Sequence, residues 1–86
     1  MRLFISNLNR FTTTSQIVAL LVPFGLVKSA QLIINAKSGY SEGTAMVEME
    51  YGAGRSAIEE LNDQRFMNCF IKVEETTLPL MFGMKN

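Results

Sequence analysis

The sequence predicts an α+β fold in which four strands and two helices follow one another in the order βαββαβ. Three observations support this prediction: short segments that alternate polar and apolar residues, longer segments with apolar residues at helical spacing, and breaks marked by glycine or proline. The chain has 86 residues, of which 48% are hydrophobic and 19% charged, as in one small packed domain. We expect a four-stranded antiparallel sheet with both helices on one face.

The first strand is predicted from residues 2–6, where polar and apolar side chains alternate. Successive side chains of an extended chain point to opposite faces, so Leu3 and Ile5 share one face, which we assign to the core. Phe4 then lies on the opposite face, and burial of its ring in the core is the less favoured alternative. The sequence thus predicts an aromatic ring on the outer face of the sheet.

The next two elements are bounded by capping and breaking residues. Four hydroxyl side chains at residues 12–15 supply N-cap oxygens for a helix, which Pro23 and Gly25 end. Residues 27–34 are rich in branched side chains and predict the second strand. A polar loop with two glycines follows at residues 35–43.

The second half of the chain predicts a strand over residues 44–51, a helix over 52–62 and a strand over 70–74. Gly54 weakens the helix by about 1 kcal/mol relative to alanine, and its presence indicates a close approach of helix and sheet. Alternation again assigns one face of each strand to the core. On the outer face, these two strands carry Thr44, Met46, Glu48, Phe70, Lys72 and Glu74.

Charge and the inventory of reactive residues restrict the function. Eight basic and eight acidic residues give a net charge of zero, so nucleic-acid binding requires a local patch. The chain has no histidine, and Cys69 is its single cysteine, which argues against enzymes, metal sites and cofactors. It has no apolar run of about 18 residues and no signal-peptide core, so we expect a cytoplasmic protein without membrane contact.

Several short segments resemble the RNA recognition motif (RRM) family. Residues 3–8, Leu-Phe-Ile-Ser-Asn-Leu, match its first-strand hexamer, and residues 42–49, Glu-Gly-Thr-Ala-Met-Val-Glu-Met, keep the pattern of its octamer. Further matches are Phe24-Gly25, the nine-residue loop 35–43, residues 57–62 and residues 71–73. Their common order over residues 1–75 is more specific than any one of them. The resemblance implies the ferredoxin-like fold and is closer to single-domain bacterial or organellar members than to multidomain eukaryotic ones.

The resemblance also implies a module that binds single-stranded RNA across the outer sheet face. In the family, one hexamer aromatic and two octamer aromatics stack on bases, whereas here only Phe4 carries over and the octamer is degenerate. Because each stack is worth about 1–3 kcal/mol, we expect modest affinity and low sequence specificity. The candidate RNA-binding residues are Phe4, Met46, Thr44, Arg2, Phe70, Lys72, Gln31 and Tyr40.

A second interpretation is association with a protein partner or a second copy through the apolar sheet face and the tail. The zero net charge, the missing octamer aromatics and Glu42, which replaces a usual basic residue, favour it. Residues 76–86 are an apolar C-terminal tail beyond the domain at 1–75. Such a tail either folds over the sheet, binds a partner or is an ordinary loose end. For Phe70 and Tyr40, structural packing and base stacking are equally compatible with the sequence.

Overall fold

A computed structural model describes residues 1–77 and shows the predicted order of elements with one addition. The elements are β1 (Arg2–Ser6), α1 (Thr14–Leu21), a 3-10 turn (Val22–Phe24), β2 (Val27–Ile34), β3 (Ser41–Met49), α2 (Tyr51–Leu61), β4 (Arg65–Phe66), β5 (Cys69–Phe70) and β6 (Lys72–Thr76). Strands β2, β3, β1 and β6 form an antiparallel sheet in that spatial order. The predicted ferredoxin-like βαββαβ fold is confirmed.

Both helices pack on one face of the sheet through an aliphatic core. Alternation along the strands supplies one layer of this core, and the apolar sides of the helices supply the other. The sheet contributes Leu3, Ile5, Ala45, Val47, Met49 and Val73, and the helices contribute Ile17, Leu21, Ala53 and Ala57. The opposite face of the sheet is therefore the one that the helices leave free, and it carries Phe4 as predicted.

Local sequence explains where α1 begins and ends. The Thr13 hydroxyl accepts a hydrogen bond from the backbone N–H of Gln16 at 3.2 Å, and the Gln16 side chain accepts one from the Thr13 N–H at 2.8 Å. This reciprocal capping box satisfies two donors at the start of the helix. At the other end, Pro23 lies in the 3-10 turn and Gly25 follows it. A Cβ on Gly25 would lie 2.7 Å from the Cβ of Ala53, so this glycine lets the end of α1 approach α2.

The close approach predicted at Gly54 is also present. A Cβ there would overlap the Met1 side chain and would lie 3.7 Å from a methyl group of Leu3. Met1 is held in place because its ammonium group donates to the Met49 carbonyl at 2.6 Å, and the Met49 N–H donates to the Met1 carbonyl at 3.0 Å. The absence of a side chain at position 54 thus lets α2 pack directly over the start of β1.

Two predicted boundaries on β3 were wrong. The strand begins at Ser41 rather than at residue 44 because Ser41 pairs with Ile34 across the loop. The Asn35 side-chain oxygen accepts hydrogen bonds from two loop N–H groups at 2.9 and 3.0 Å, which shortens the turn to residues 35–40. The strand ends at Met49, and Tyr51 begins α2 instead of ending the strand.

The last strand of the sheet begins at Lys72 and not at the predicted residue 70, because residues 65–70 form a separate hairpin. Met67 and Asn68 have φ values of 51° and 67°, the left-handed pair that a two-residue hairpin turn requires. Neither is glycine, so no glycine marks this turn in the sequence. Phe70 pairs with Arg65 in the hairpin and is not part of the four-stranded sheet, which corrects its predicted placement. Strand β6, with Val73 buried, runs to Thr76 beside β1.

Candidate nucleic-acid interface

Phe4 lies at the centre of the outer sheet face, which β1, β2, β3 and β6 build together. On one side Phe4 pairs with Met46 of β3, and on the other with Glu74 of β6. Gln31 of β2 lies beyond Met46 in the same row. This register places an aromatic ring, a thioether and an amide side by side on three neighbouring strands, so the row spans two strand spacings, roughly 10 Å. The row is long enough to contact two or three nucleotides.

The central part of this face is less accessible than a bare sheet. Met46 is 0% exposed and Ile33, two residues beyond Gln31 on β2, is 8% exposed. Neither belongs to the core cluster beneath the helices. Phe4, Gln31 and Thr44 are partly buried. Met46 therefore does not reach solvent in this conformation, and its contact with RNA stays a prediction.

Charges of both signs surround Phe4. Arg2 pairs in register with Glu48 on β3, and Lys72 of β6 pairs in register with Ser6 of β1. The Lys72 ammonium forms an ion pair with the Asp63 carboxylate, and both side chains are about 60% exposed (59% and 61%). An exposed pair of this kind contributes little to stability, but it occupies the cation nearest to one edge of the face. Carboxylates thus lie near both basic residues of this face.

Phe70 and Tyr40 lie away from the row through Phe4. Phe70 is exposed on β5, and its carbonyl accepts a hydrogen bond from the Asn7 side chain at 2.7 Å, which ties the hairpin to the end of β1. Tyr40 is exposed in the 35–40 loop, where the Arg10 guanidinium lies 5.9 Å from the ring centroid. The structure thus brings Arg2, Phe4, Gln31, Thr44, Met46 and Lys72 to one sheet face. It leaves Phe70 and Tyr40 at the end of that sheet.

Two residues near Tyr40 were not among the sequence-predicted candidates. A cleft of about 640 Å³ at this end of the sheet is lined by Arg10, Phe11, Tyr40, Glu42 and half-buried Cys69, among others. Phe11 is 80% exposed. Arg10 and Phe11 are adjacent and follow the hexamer after one residue, in a loop without core periodicity, and this position was the available indication in the sequence. The cleft thus combines aromatic and cationic side chains at this end of the sheet.

The glycine of the octamer has a structural role at the same end. Gly43 has a φ of 78°, and a Cβ on it would lie 2.8 Å from the Leu8 carbonyl oxygen. The Leu8 N–H donates to the Gly43 carbonyl at 2.9 Å, which extends the pairing of β1 and β3 beyond Ser6. Glycine is thus required here for the backbones of the two central strands to approach each other.

Within residues 1–77, no group of three or more histidine, cysteine or acidic side chains is arranged to hold a metal ion. No helix in that part of the chain is long and apolar enough to cross a membrane.

Residues 3–72 match the family model for the RNA recognition motif. Among similar solved structures, the crystal structure of RNA binding protein PG1 is 35% identical, covers 92% of this chain and 96% of its own, and gives a TM-score of 0.88. The Sex-lethal RNA recognition domains 1 and 2 from Drosophila melanogaster are 26% identical over 91% of this chain and 50% of theirs, with a TM-score of 0.80. The Rna15 RRM with bound RNA (GU), at 22% identity, 90% and 83% coverage and a TM-score of 0.79, shares the fold. No curated protein sequence gives a significant match.

Proposed function

The chain belongs to the RNA recognition motif family, and on that premise we propose that it binds single-stranded RNA across the outer face of its sheet. The observation that carries this proposal is the position of Phe4, whose ring lies at the centre of the face opposite the helices, between Met46 and Glu74. The 35% identity with an RNA-binding protein over nearly the whole chain supports it further.

The expected binding is modest in affinity and low in sequence specificity, because the octamer is degenerate. Thr44 has no ring, and Met46 offers only a flexible thioether, so Phe4 is the single aromatic in the central row. Each missing stack removes about 1–3 kcal/mol, and two missing stacks weaken binding by two or more orders of magnitude. Arg2 and Lys72 would then contribute sequence-independent contacts to phosphate.

Association with a protein or a second copy through the same face is the second candidate function. Glu74 lies directly beside Phe4, and Glu48 pairs with Arg2, so carboxylates flank the apolar centre of the face. Carboxylates repel phosphate but are common at the rim of a protein interface. Under this alternative, Phe4 contacts a protein, and its replacement changes the oligomeric state or partner binding without affecting RNA.

Fluorescence anisotropy of a short labelled single-stranded RNA, at low and physiological salt, tests the proposal. Phe4→Ala is expected to weaken binding by about 1–3 kcal/mol, or roughly 5- to 150-fold. Tyr51→Ala is the matched control, because Tyr51 is also an exposed aromatic but begins α2 on the helical side of the fold. Equal losses of RNA affinity in the two variants would contradict the proposal. A change in the sedimentation of Phe4→Ala with no change in RNA binding would favour the protein-association function instead.

A further inference from the structure

The cleft of about 640 Å³ at the end of the sheet is a separate feature from the row through Phe4. It is bordered by the loop after β1, by the 35–40 loop with the start of β3, and by Cys69 of the hairpin. Its volume falls within the range of roughly 300–1,000 Å³ that is usual for small-molecule sites, so a nucleotide fits in it. All of its lining residues lie within residues 1–77, whereas most of the predicted tail, residues 78–86, lies outside the described part of the chain.

Two opposite charges line this cleft without neutralising each other. Arg10 and Glu42 both border it, yet within residues 1–77 neither forms an ion pair. The Arg10 guanidinium instead lies 5.9 Å from the centroid of the Tyr40 ring, at the outer limit of a cation–π contact. Tyr40 and Phe11 are both exposed, so their rings are open to a ligand. The cleft thus offers a cation, an anion and stacking surfaces together.

The carboxylate of Glu42 is oriented by the adjoining loop. The Asn35 side-chain nitrogen donates to its Oε2 atom at 3.2 Å, while the Asn35 side-chain oxygen accepts from the N–H groups of Lys37 and Ser38 at 2.9 and 3.0 Å. The Asn35 amide is therefore held through both of its polar atoms. Among the described residues, Asn35 is the one hydrogen-bond partner of the Glu42 side chain, so Oε1 and a lone pair of Oε2 remain available as acceptors.

Guanine is the RNA base whose Watson–Crick edge fits a carboxylate of this kind. It presents two adjacent donors, N1–H and the N2 amino group, and the two oxygens of a carboxylate accept both. Adenine and cytosine present an amino donor beside a ring-nitrogen acceptor, and uracil presents its N3–H between two carbonyl oxygens. An acceptor on the base repels the second carboxylate oxygen, so the bidentate pair is selective. Single-stranded RNA leaves this edge unpaired and open to a protein.

We propose that the cleft binds one guanine of single-stranded RNA, with Glu42 accepting hydrogen bonds from N1–H and from the N2 amino group. The base stacks on the exposed ring of Tyr40, and Arg10 contacts a neighbouring phosphate. This role rests on the proposed RNA-binding function and adds one selective position to a sheet of otherwise low specificity. Glu42, which replaces a usual basic residue, then contributes specificity and reduces the general attraction to phosphate.

Neutralisation of Glu42 has opposite expected effects under the two roles of its charge. A carboxylate that only repels phosphate disfavours every RNA, so its neutralisation strengthens binding irrespective of sequence. A carboxylate that pairs with guanine favours RNA with that base, so its loss weakens binding to that RNA. A bidentate pair of this kind is worth about 5- to 150-fold in discrimination between bases.

Fluorescence anisotropy of two labelled RNAs tests the guanine site: an oligouridine, and the same oligomer with one central guanosine. The full chain is expected to bind the guanosine RNA about 5- to 150-fold more tightly. Glu42→Gln keeps an acceptor for Asn35 but presents one acceptor and one donor to the base, and it should abolish this preference. Inosine, which lacks the N2 amino group, should reduce the preference of the native chain and should have no effect in the variant.

Glu74→Gln is the matched control, because it removes the same charge from the sheet face, beside Phe4 and away from the cleft. It is expected to strengthen binding of both RNAs equally. An equal gain for both RNAs from Glu42→Gln, or equal affinity of the native chain for both RNAs, would overturn the guanine site. Should Glu42→Gln fail to fold, Tyr40→Leu removes the stacking ring at an exposed position and is expected to reduce the same preference. An unchanged preference in that variant would also contradict the site.

Binding of oligouridine separates failure of the guanine site from failure of the proposed function. Oligouridine binding that Phe4→Ala weakens, without any preference for guanosine, would retain the sheet interface and refute the site in the cleft. Binding of neither RNA by the folded chain at low salt would overturn both.

Discussion

Replacement of Gly43 by alanine is expected to destabilise the fold by about 2–4 kcal/mol. The backbone at this residue has a φ of 78°, which costs an L-residue roughly 1–2 kcal/mol. The new Cβ would lie 2.8 Å from the Leu8 carbonyl oxygen, so the two backbones must separate. Their separation weakens the 2.9 Å hydrogen bond between Leu8 and Gly43, worth about 0.5–1.5 kcal/mol, and disturbs buried Leu8.

Gly39→Ala is the matched control for this prediction. Gly39 has a nearly identical φ of 76°, but a Cβ on it would meet no atom within 4 Å in the described part of the chain. Its replacement should therefore cost only the conformational part, about 1–2 kcal/mol. Urea denaturation of both variants gives the difference directly, and 1 kcal/mol corresponds to about 4–8 °C in melting temperature for a domain of this size. Equal losses of stability would refute the argument that Gly43 is needed for close approach of the strands.

Three further substitutions test local features of the fold and site. Thr13→Ala removes the side-chain acceptor of the capping box and should cost about 0.5–2 kcal/mol in urea denaturation; no loss would contradict its capping role. Asn62→Ala should cost about 1–2 kcal/mol, because its side-chain oxygen accepts a 2.9 Å hydrogen bond from the backbone of β6. Asp63→Asn should leave stability within about 0.5 kcal/mol and strengthen RNA binding at low salt by releasing Lys72; unchanged binding would show that Lys72 does not contact phosphate.

Local sequence patterns predicted correctly those elements that have both a clear periodicity and breaking residues at their ends. Strands β1 and β2 have the predicted bounds, because alternation or branched residues fill them and breaking residues flank them. The β4–β5 hairpin was missed because Met67 and Asn68 adopt left-handed conformations without glycine. A short hairpin of this kind depends on tertiary support, here a hydrogen bond from the Asn9 side chain to the Met67 carbonyl at 3.1 Å.

The candidate site was predictable in its orientation and less so in its accessibility. The two-residue period of a strand was sufficient to place Phe4, Thr44 and Met46 opposite the core. Periodicity specifies which face a side chain occupies, but its exposure and its charge partners depend on residues elsewhere in the chain. The complete burial of Met46 and the pairing of Lys72 with Asp63 are such long-range effects. Both reduce what the outer face presents to RNA.

The most direct test of the central claim is the affinity of the full chain for a short labelled single-stranded RNA, with and without Phe4→Ala. We predict saturable binding that Phe4→Ala weakens by about 1–3 kcal/mol, or roughly 5- to 150-fold. Absence of binding at low salt by a folded protein, or binding that Phe4→Ala leaves unchanged, would contradict an RNA interface centred on Phe4.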